Sequence, residues 1–344
     1  MKPITSRKTK QIEGVTPNTI PFDELVDAGE PVILKGTVKN WGLVQAGQTS
    51  CTDGIDYLKS YYGGRPVGAY YGAPEVSGRY FYTNDVSALN FEKRRVALDE
   101  FLDTVEEHLV DERPPSLYVG SSDIDLCLPG MREDNSLGLN HPMFEFRRPF
   151  YSIWLGNPSV ISAHYDVPNN LACCCLGKRR FTLFPPEQID NLYPGPLEPT
   201  PGGQPISMVD FANPDFNCHP RAKWAIDSAQ VADLEPGDVL FYPSMWWHQV
   251  ESFSPFNAMI NYWWDTTPDY MGTPTSVLMH ALLSIRGRPE QERKAWKHIF
   301  DYYVFGSTEN SVEHLPEHAW GDLGALDGMK ARKLRAYLLN RLNR

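Results

Sequence analysis

The sequence predicts a mainly β protein: a double-stranded jelly roll with flanking helices and a helical C-terminal region. Three observations predict it. From Arg148 to Trp264, short apolar or alternating runs follow one another at close spacing, with turn residues between them. The 29 Pro and 26 Gly suit many short strands and turns better than a helical bundle. After Asp269 the apolar spacing changes to a helical period. At 344 residues the chain can bury a large core as one domain or two. We expect a jelly roll with its N-terminal flanking elements over 1–270 and a helical region over 271–344.

Taken in order, residues 1–20 are polar and read as a loose lead-in. Phe22 to Ala28 suits a short helix, and the run Gly29-Glu-Pro-Val-Ile-Leu-Lys-Gly a strand. Asp53 to Tyr62 reads as a helix, with Ile55, Leu58, Tyr61 and Tyr62 on one face and Gly63-Gly64 as its stop. Pro66 to Tyr71 and Arg79 to Tyr82 are strand candidates. Ala97 to Val110 carries a helical stripe of Leu98, Phe101, Leu102, Val105 and Leu109. Ser116 to Gly120 and Phe150 to Leu155 read as strands, and so does the segment holding His164 and Asp166. Leu171 to Leu176 and Arg179 to Phe184 follow, broken by Gly177. Glu187 to Leu192 is a short helical turn. Tyr193 to Pro220, rich in Pro, Gly and Asn, is too long for a plain connection and reads as an insertion over the site mouth. Trp224 to Ile226 suits local strand pairing. Val239 to Tyr242, His248 to Ser252 and Asn257 to Trp264 complete the strands. Helices are expected over 275–285, from Pro289 to Gly306, and over 326–342. Their apolar stripes need the jelly roll or a second copy of the chain as cover, and a homodimer is the expected assembly.

The formal net charge of −11 argues against general nucleic-acid binding, which needs a basic surface. No 18-residue apolar run exists, so no membrane span is expected. The basic N-terminal residues precede no apolar segment of the signal-peptide kind. Of six cysteines, Cys173, Cys174 and Cys175 are consecutive in an apolar run. They read as small buried hydrophobes in a reducing compartment, which places the chain in the cytoplasm.

The chemistry-bearing stretch is Ile161 to Pro186. His164 and Asp166 stand two residues apart in an extended run, so both project to one side. His248 follows 82 residues after Asp166 and is the candidate third metal ligand. Two histidines and one carboxylate on one face of an octahedral ion leave its other positions open, as in non-haem Fe(II) oxygenases.

Beyond the triad, His-Tyr-Asp at 164–166, Asn170, Gly177, Phe184-Pro185-Pro186, Trp246-Trp247-His248 and Asn261-Tyr-Trp-Trp resemble one known family. It is the cupin-like JmjC family of 2-oxoglutarate oxygenases, in particular its asparaginyl hydroxylases acting on hypoxia-inducible factor. The resemblance covers roughly residues 20–265. It implies a cupin fold, Fe(II) held by His164, Asp166 and His248, 2-oxoglutarate as cosubstrate, and a C-terminal helical dimer interface. It also implies a basic anchor for the far carboxylate two residues after the glycine, at Arg179. The asparaginyl hydroxylases carry a lysine there, so Lys178 stays beside Arg179 as a candidate. Tyr118, Asn170 and Asn261 match positions that hold the cosubstrate. Ile161 stands where the family often has threonine.

The expected function is an Fe(II)- and 2-oxoglutarate-dependent dioxygenase, a hydroxylase of a protein side chain or a small molecule. Two alternatives stand beside it. A metal cupin enzyme that does not use 2-oxoglutarate would present more histidines near the first ligand strand. A non-catalytic cupin-fold binding module would carry a damaged triad.

Overall fold

The alternating runs become strands. The structure is a computed structural model that describes residues 3–145 and 147–343. The chain divides into two units, Met1–Asp265 and Thr266–Arg344.

In the first unit, among the described residues, the strands in chain order are β1 (Lys10–Ile12), β2 (Val32–Leu34), β3 (Val67–Gly72), β4 (Arg79–Tyr80), β5 (Glu92–Val96), β6 (Ser116–Asp123) and β7 (Phe150–Gly156). There follow β8 (Ser159–Tyr165), β9 (Asn169–Leu176), β10 (Arg179–Phe184), β11 (Gln230–Leu234), β12 (Val239–Tyr242), β13 (Trp247–Ser252) and β14 (Asn257–Trp264). They form a nine-stranded sheet in the order β1-β2-β12-β9-β14-β7-β6-β3-β5 and a five-stranded sheet in the order β11-β10-β13-β8-β4. Chain neighbours such as β9 and β10 fall in different sheets, so the chain crosses repeatedly between the layers.

Side-chain alternation sorts each strand between two environments. Ala172, Cys174, Leu240, Tyr242 and Met259 of the large sheet pack with Phe181, Leu183, Ala232 and Val250 of the small one. That cluster fills the space between the sheets. Leu171, Cys173, Cys175, Phe241 and Tyr262 face the other way, against the helices Phe22–Ala28, Gly42–Thr49, Cys51–Ser60 and Leu98–Glu107. The three consecutive cysteines are therefore all buried, alternating between two cores, and their thiols are unpaired.

Several elements differ from the sequence expectation. The polar lead-in contributes β1, which pairs parallel to β2 and packs Ile12 on the core. β5 reads Glu-Lys-Arg-Arg-Val and lacks an apolar face, because it is an edge strand. Trp224 to Ile226 lies in the helix Ala222–Ser228, since Ala222 and Ala225, three apart, pack inward while Trp224 is exposed. The segment after Tyr193 is anchored in part on the small sheet. Val209 and Phe211 pack with Phe184, Trp247 and Ala163 on the outer face of the small sheet, and the Ser207 amide bonds the Ala163 carbonyl at 2.7 Å.

The second unit holds the helices Pro274–Ser284, Glu290–Phe300 and Gly328–Leu342. The last starts at Gly328 because the Asp327 carboxylate caps the amides of Met329 and Lys330. No helix among the described residues is long and apolar enough to cross a membrane.

Candidate metal centre

β8 and β13 run antiparallel, and His164 stands directly opposite His248. Between His248 and Val250 the register shifts: two residues of β13 span three of β8, from His164 to Ile161. This bulge lets both His164 and Ile161 face the interior. The two imidazoles lie 4.3 Å apart between ring centroids. The Nδ1 of His164 is 2.9 Å from the Ser162 carbonyl, and that of His248 is 3.0 Å from the Trp246 carbonyl. A carbonyl only accepts, so each Nδ1–H donates, which leaves Nε2 as the nitrogen turned toward the site.

Asp166 lies one residue beyond the end of β8 rather than within the strand. Its carbonyl accepts from the Met245 amide at 2.8 Å, which ties it to the turn before β13. Met245 takes φ +67 to make that bond, a costly conformation for a non-glycine residue. The Asp166 carboxylate stands 3.6 Å from His248 Nε2. Ligand atoms of His164, Asp166 and His248 all lie within 4.8 Å of one another, and among the described residues this is the one such group.

Burial sets the charges. Desolvation, aided by the neighbouring His164, pushes the His248 pKa well below its ordinary value, so its imidazole is the neutral, metal-binding form. Desolvation raises the Asp166 pKa, a cost that a bound cation reverses. Asn170 Nδ2 donates to the Asp166 carboxylate at 3.3 Å, and Asn261 Nδ2 donates to Asn170 Oδ1 at 2.6 Å. The order is forced: a carboxylate only accepts, so Asn170 must turn its amine toward it and its carbonyl toward Asn261. The structure thus commits the Asn170 amide to Asp166.

The basic run after Gly177 splits three ways. Gly177 takes φ +75, and a Cβ there would run into Asn257 Oδ1, so only glycine makes this turn into β10. Arg179 then faces inward with Phe181 and Leu183 and is 2% exposed. Its Nε has no hydrogen-bond partner among the described residues, and no carboxylate among them pairs with its guanidinium. Lys178 is exposed, with its ammonium 3.0 Å from Glu235. Arg180 bonds Asp233 at 2.7 Å. The structure thus separates Lys178 from the interior that holds Arg179. Tyr118, on β6, is buried in an aromatic cluster with Tyr80 and Phe91, edged by Tyr70 and Trp154. Burial raises its pKa, and the Arg179 charge partly offsets this.

Sequence reasoning missed Tyr242 and Met245. Tyr242 shares the inner face of β12 with Leu240, and its ring lies 4.6 Å from that of His248; alternation along Val239 to Tyr242 was the available signal. No local signal marks the Met245 turn. A cleft of about 1010 Å³ is lined in part by Arg148, Phe150, Pro168 and Trp263, and Pro168 follows Asp166 by two residues in the chain.

The residues fit the groups that the triad implies. Two imidazoles that turn Nε2 toward one point and a carboxylate suit a divalent iron ion, and the unpaired guanidinium of Arg179 suits an anionic ligand in the same space. A family model described as a cupin-like domain matches residues 17–270. The chain belongs to the cupin-like JmjC family. Jumonji C domain-containing protein 5 of Drosophila melanogaster is 27% identical over 244 residues, 70% of this chain and 55% of that protein. Lysine-specific demethylase JMJ31 of Arabidopsis thaliana is 30% identical over 166 residues, 45% of this chain and 29% of its own length. The tRNA wybutosine-synthesizing protein 5 of Gallus gallus is 27% identical over 247 residues, 70% of this chain and 71% of that one. The match spans little more than half of the first relative and less than a third of the second. JmjC cupins are Fe(II)- and 2-oxoglutarate-type oxygenases and demethylases, and the His164–Asp166–His248 group lies inside the matched region.

Proposed function

We propose that this JmjC chain is an Fe(II)- and 2-oxoglutarate-dependent hydroxylase of a protein side chain or a small molecule. One observation carries the reading: a two-histidine, one-carboxylate group and an unpaired buried guanidinium share the interior of one barrel. His164 and His248 offer Nε2, and Asp166 offers a carboxylate oxygen. Asn170, backed by Asn261, holds that carboxylate in place. Arg179 pairs with the far carboxylate of the cosubstrate, with Tyr118 beside it. When bound, iron and 2-oxoglutarate supply the oxidation of a C–H bond by oxygen, with succinate and carbon dioxide as the cosubstrate's products. The walls formed by Phe181, Val250 and Tyr242 exclude water from that chemistry.

The outer cleft, with Phe150 and Trp263 on its wall, is the proposed substrate entry. A second copy of the chain is the proposed partner of the second unit, where Val277, Leu283, Val304 and Phe305 are exposed. We place the chain in the cytoplasm, in keeping with six unpaired cysteines.

The deciding experiment is anaerobic titration of Fe(II)-loaded protein with 2-oxoglutarate, following the metal-to-ligand charge-transfer band in the visible. The band is expected in wild type, and Asp166→Ala is expected to lack it. Iron-loaded wild type without a band would end the cosubstrate reading and leave the alternative of a metal cupin that does not use 2-oxoglutarate.

A further inference from the structure

The inner face of the small sheet carries more unpaired polar groups than the metal centre uses. Register fixes which residues point inward. Phe181 stands opposite Val250, Val250 opposite Ile161, and Ile161 beside Tyr80 on β4. Residues paired directly across strands share a face. Phe181 and Val250 belong to the interior cluster and Ile161 packs on it, so Tyr80 points into the same space. Two residues further along, Arg179 stands opposite Ser252, and these two also face inward.

Tyr80 is 2% exposed and Ser252 is 4% exposed. Neither hydroxyl has a hydrogen-bond partner among the described residues, and the same holds for Arg179 Nε. A buried hydroxyl without a partner is costly, and native interiors hold few of them. Here two such hydroxyls and a guanidinium N–H lie around one end of one space. The Tyr80 ring is fixed by Phe91 at 5.2 Å and Tyr118 at 5.4 Å, so its hydroxyl cannot swing away to find another acceptor. Arg179 only donates, and two hydroxyls can do the same. What satisfies such a set is an anion with several lone pairs, as a carboxylate has. Along β13 the Val250 and Ser252 levels are two and four residues from His248, roughly 7 and 13 Å at the rise of an extended strand. The donors therefore ring the end of the space remote from the triad.

We infer that Tyr80 and Ser252 are positioning residues that donate hydrogen bonds to the cosubstrate carboxylate remote from the metal centre, completing the cradle begun by Arg179. This rests on the proposed 2-oxoglutarate reading. It also accounts for a donor that the side chain at position 161 does not provide: Ile161 has no hydroxyl, and Tyr80 brings one from the neighbouring strand.

The test compares two acids on iron-loaded protein under anaerobic conditions: 2-oxoglutarate and 2-oxopentanoate, which lacks the far carboxylate. Tyr80→Phe and Ser252→Ala are each expected to weaken 2-oxoglutarate binding about 10-fold or more while leaving 2-oxopentanoate binding unchanged. A general loss of structure would weaken both acids alike, and that result would overturn the assignment. So would variants that bind 2-oxoglutarate as wild type does. Melting curves check folding, and if Tyr80→Phe does not fold, Ser252→Ala decides. A wild type that gives no band with 2-oxoglutarate defeats the cosubstrate reading itself, a different result from a wild type that binds and variants that bind equally well.

Discussion

Replacing Arg179 with methionine should make the ligand-free protein more stable and blind to its cosubstrate. The guanidinium is 2% exposed, its Nε is unpartnered, and burial lowers its pKa. Unlike a buried lysine, an arginine does not escape the cost by losing its proton. Its attraction to the neighbouring Cys174, Tyr118 and Cys175 offsets little, because desolvation raises the pKa of each of these groups and so holds it neutral. Exchanging a poorly compensated buried ion for a well-packed apolar side chain gains about 1–4 kcal/mol. Methionine fills most of the arginine stem's volume beside Phe181 and Leu183. For a unit of this size each kcal/mol raises the melting temperature by roughly 2 °C, so Arg179→Met should melt about 2–8 °C higher without ligand. Cosubstrate should reverse the order of response. At 100 times its Kd, 2-oxoglutarate should stabilise iron-loaded wild type by about 2.7 kcal/mol and the variant by nothing measurable. The assay is thermal and urea denaturation of both proteins, with and without 2-oxoglutarate. If Arg179→Met melts lower than wild type and is still stabilised by the cosubstrate, the reading of Arg179 as an anion anchor fails.

Lys178→Ala should leave cosubstrate affinity within about twofold, because its ammonium is exposed and held at Glu235, away from the interior, where a surface charge contributes little; a tenfold loss in the same titration would move the anchor to Lys178. Asn261→Ala removes the donor that sets the Asn170 amide, and should weaken Co(II) binding, followed by its visible absorption, about 10-fold; unchanged affinity would show that Asp166 needs no such support. His248 gives a pH dependence. Its folded pKa is depressed, so below about 6.5 the unfolded chain takes up a proton that the folded chain refuses. Metal-free stability therefore falls as the pH drops through that value. Urea midpoints at pH 7.5 and 5.5 should differ more in wild type than in His248→Gln, and equal differences would exclude a buried neutral His248.

The sequence alone determined those features that short-range chemistry dictates. Short apolar runs bounded by turn residues located β7, β9, β10, β12 and β14 to within a residue or two, because these strands are buried on both faces. Side-chain alternation put Arg179 on one face with Phe181 and Leu183, and Gly177 marked the break between β9 and β10. Composition told of the helical second unit through its change of period. Short strands at the sheet edges were not legible. β1 and β5 each offer a single apolar residue to the core, Ile12 and Val96, and pairing with β2 and β3 makes them strands. Trp224 looked strand-like, but the packing of Ala222 and Ala225 decided for a helix.

At the site, the sequence named the three metal-ligand candidates, but only the fold set His164 opposite His248 and moved Asp166 off the strand end. Whether Lys178 or Arg179 faces the interior depended on where β10 begins, which is a matter of register against β13 and β11. Tyr80 and Ser252 could not be found by reading the chain. Their meaning lies in having no partner in a closed interior, and that is known only when all the neighbours are in place.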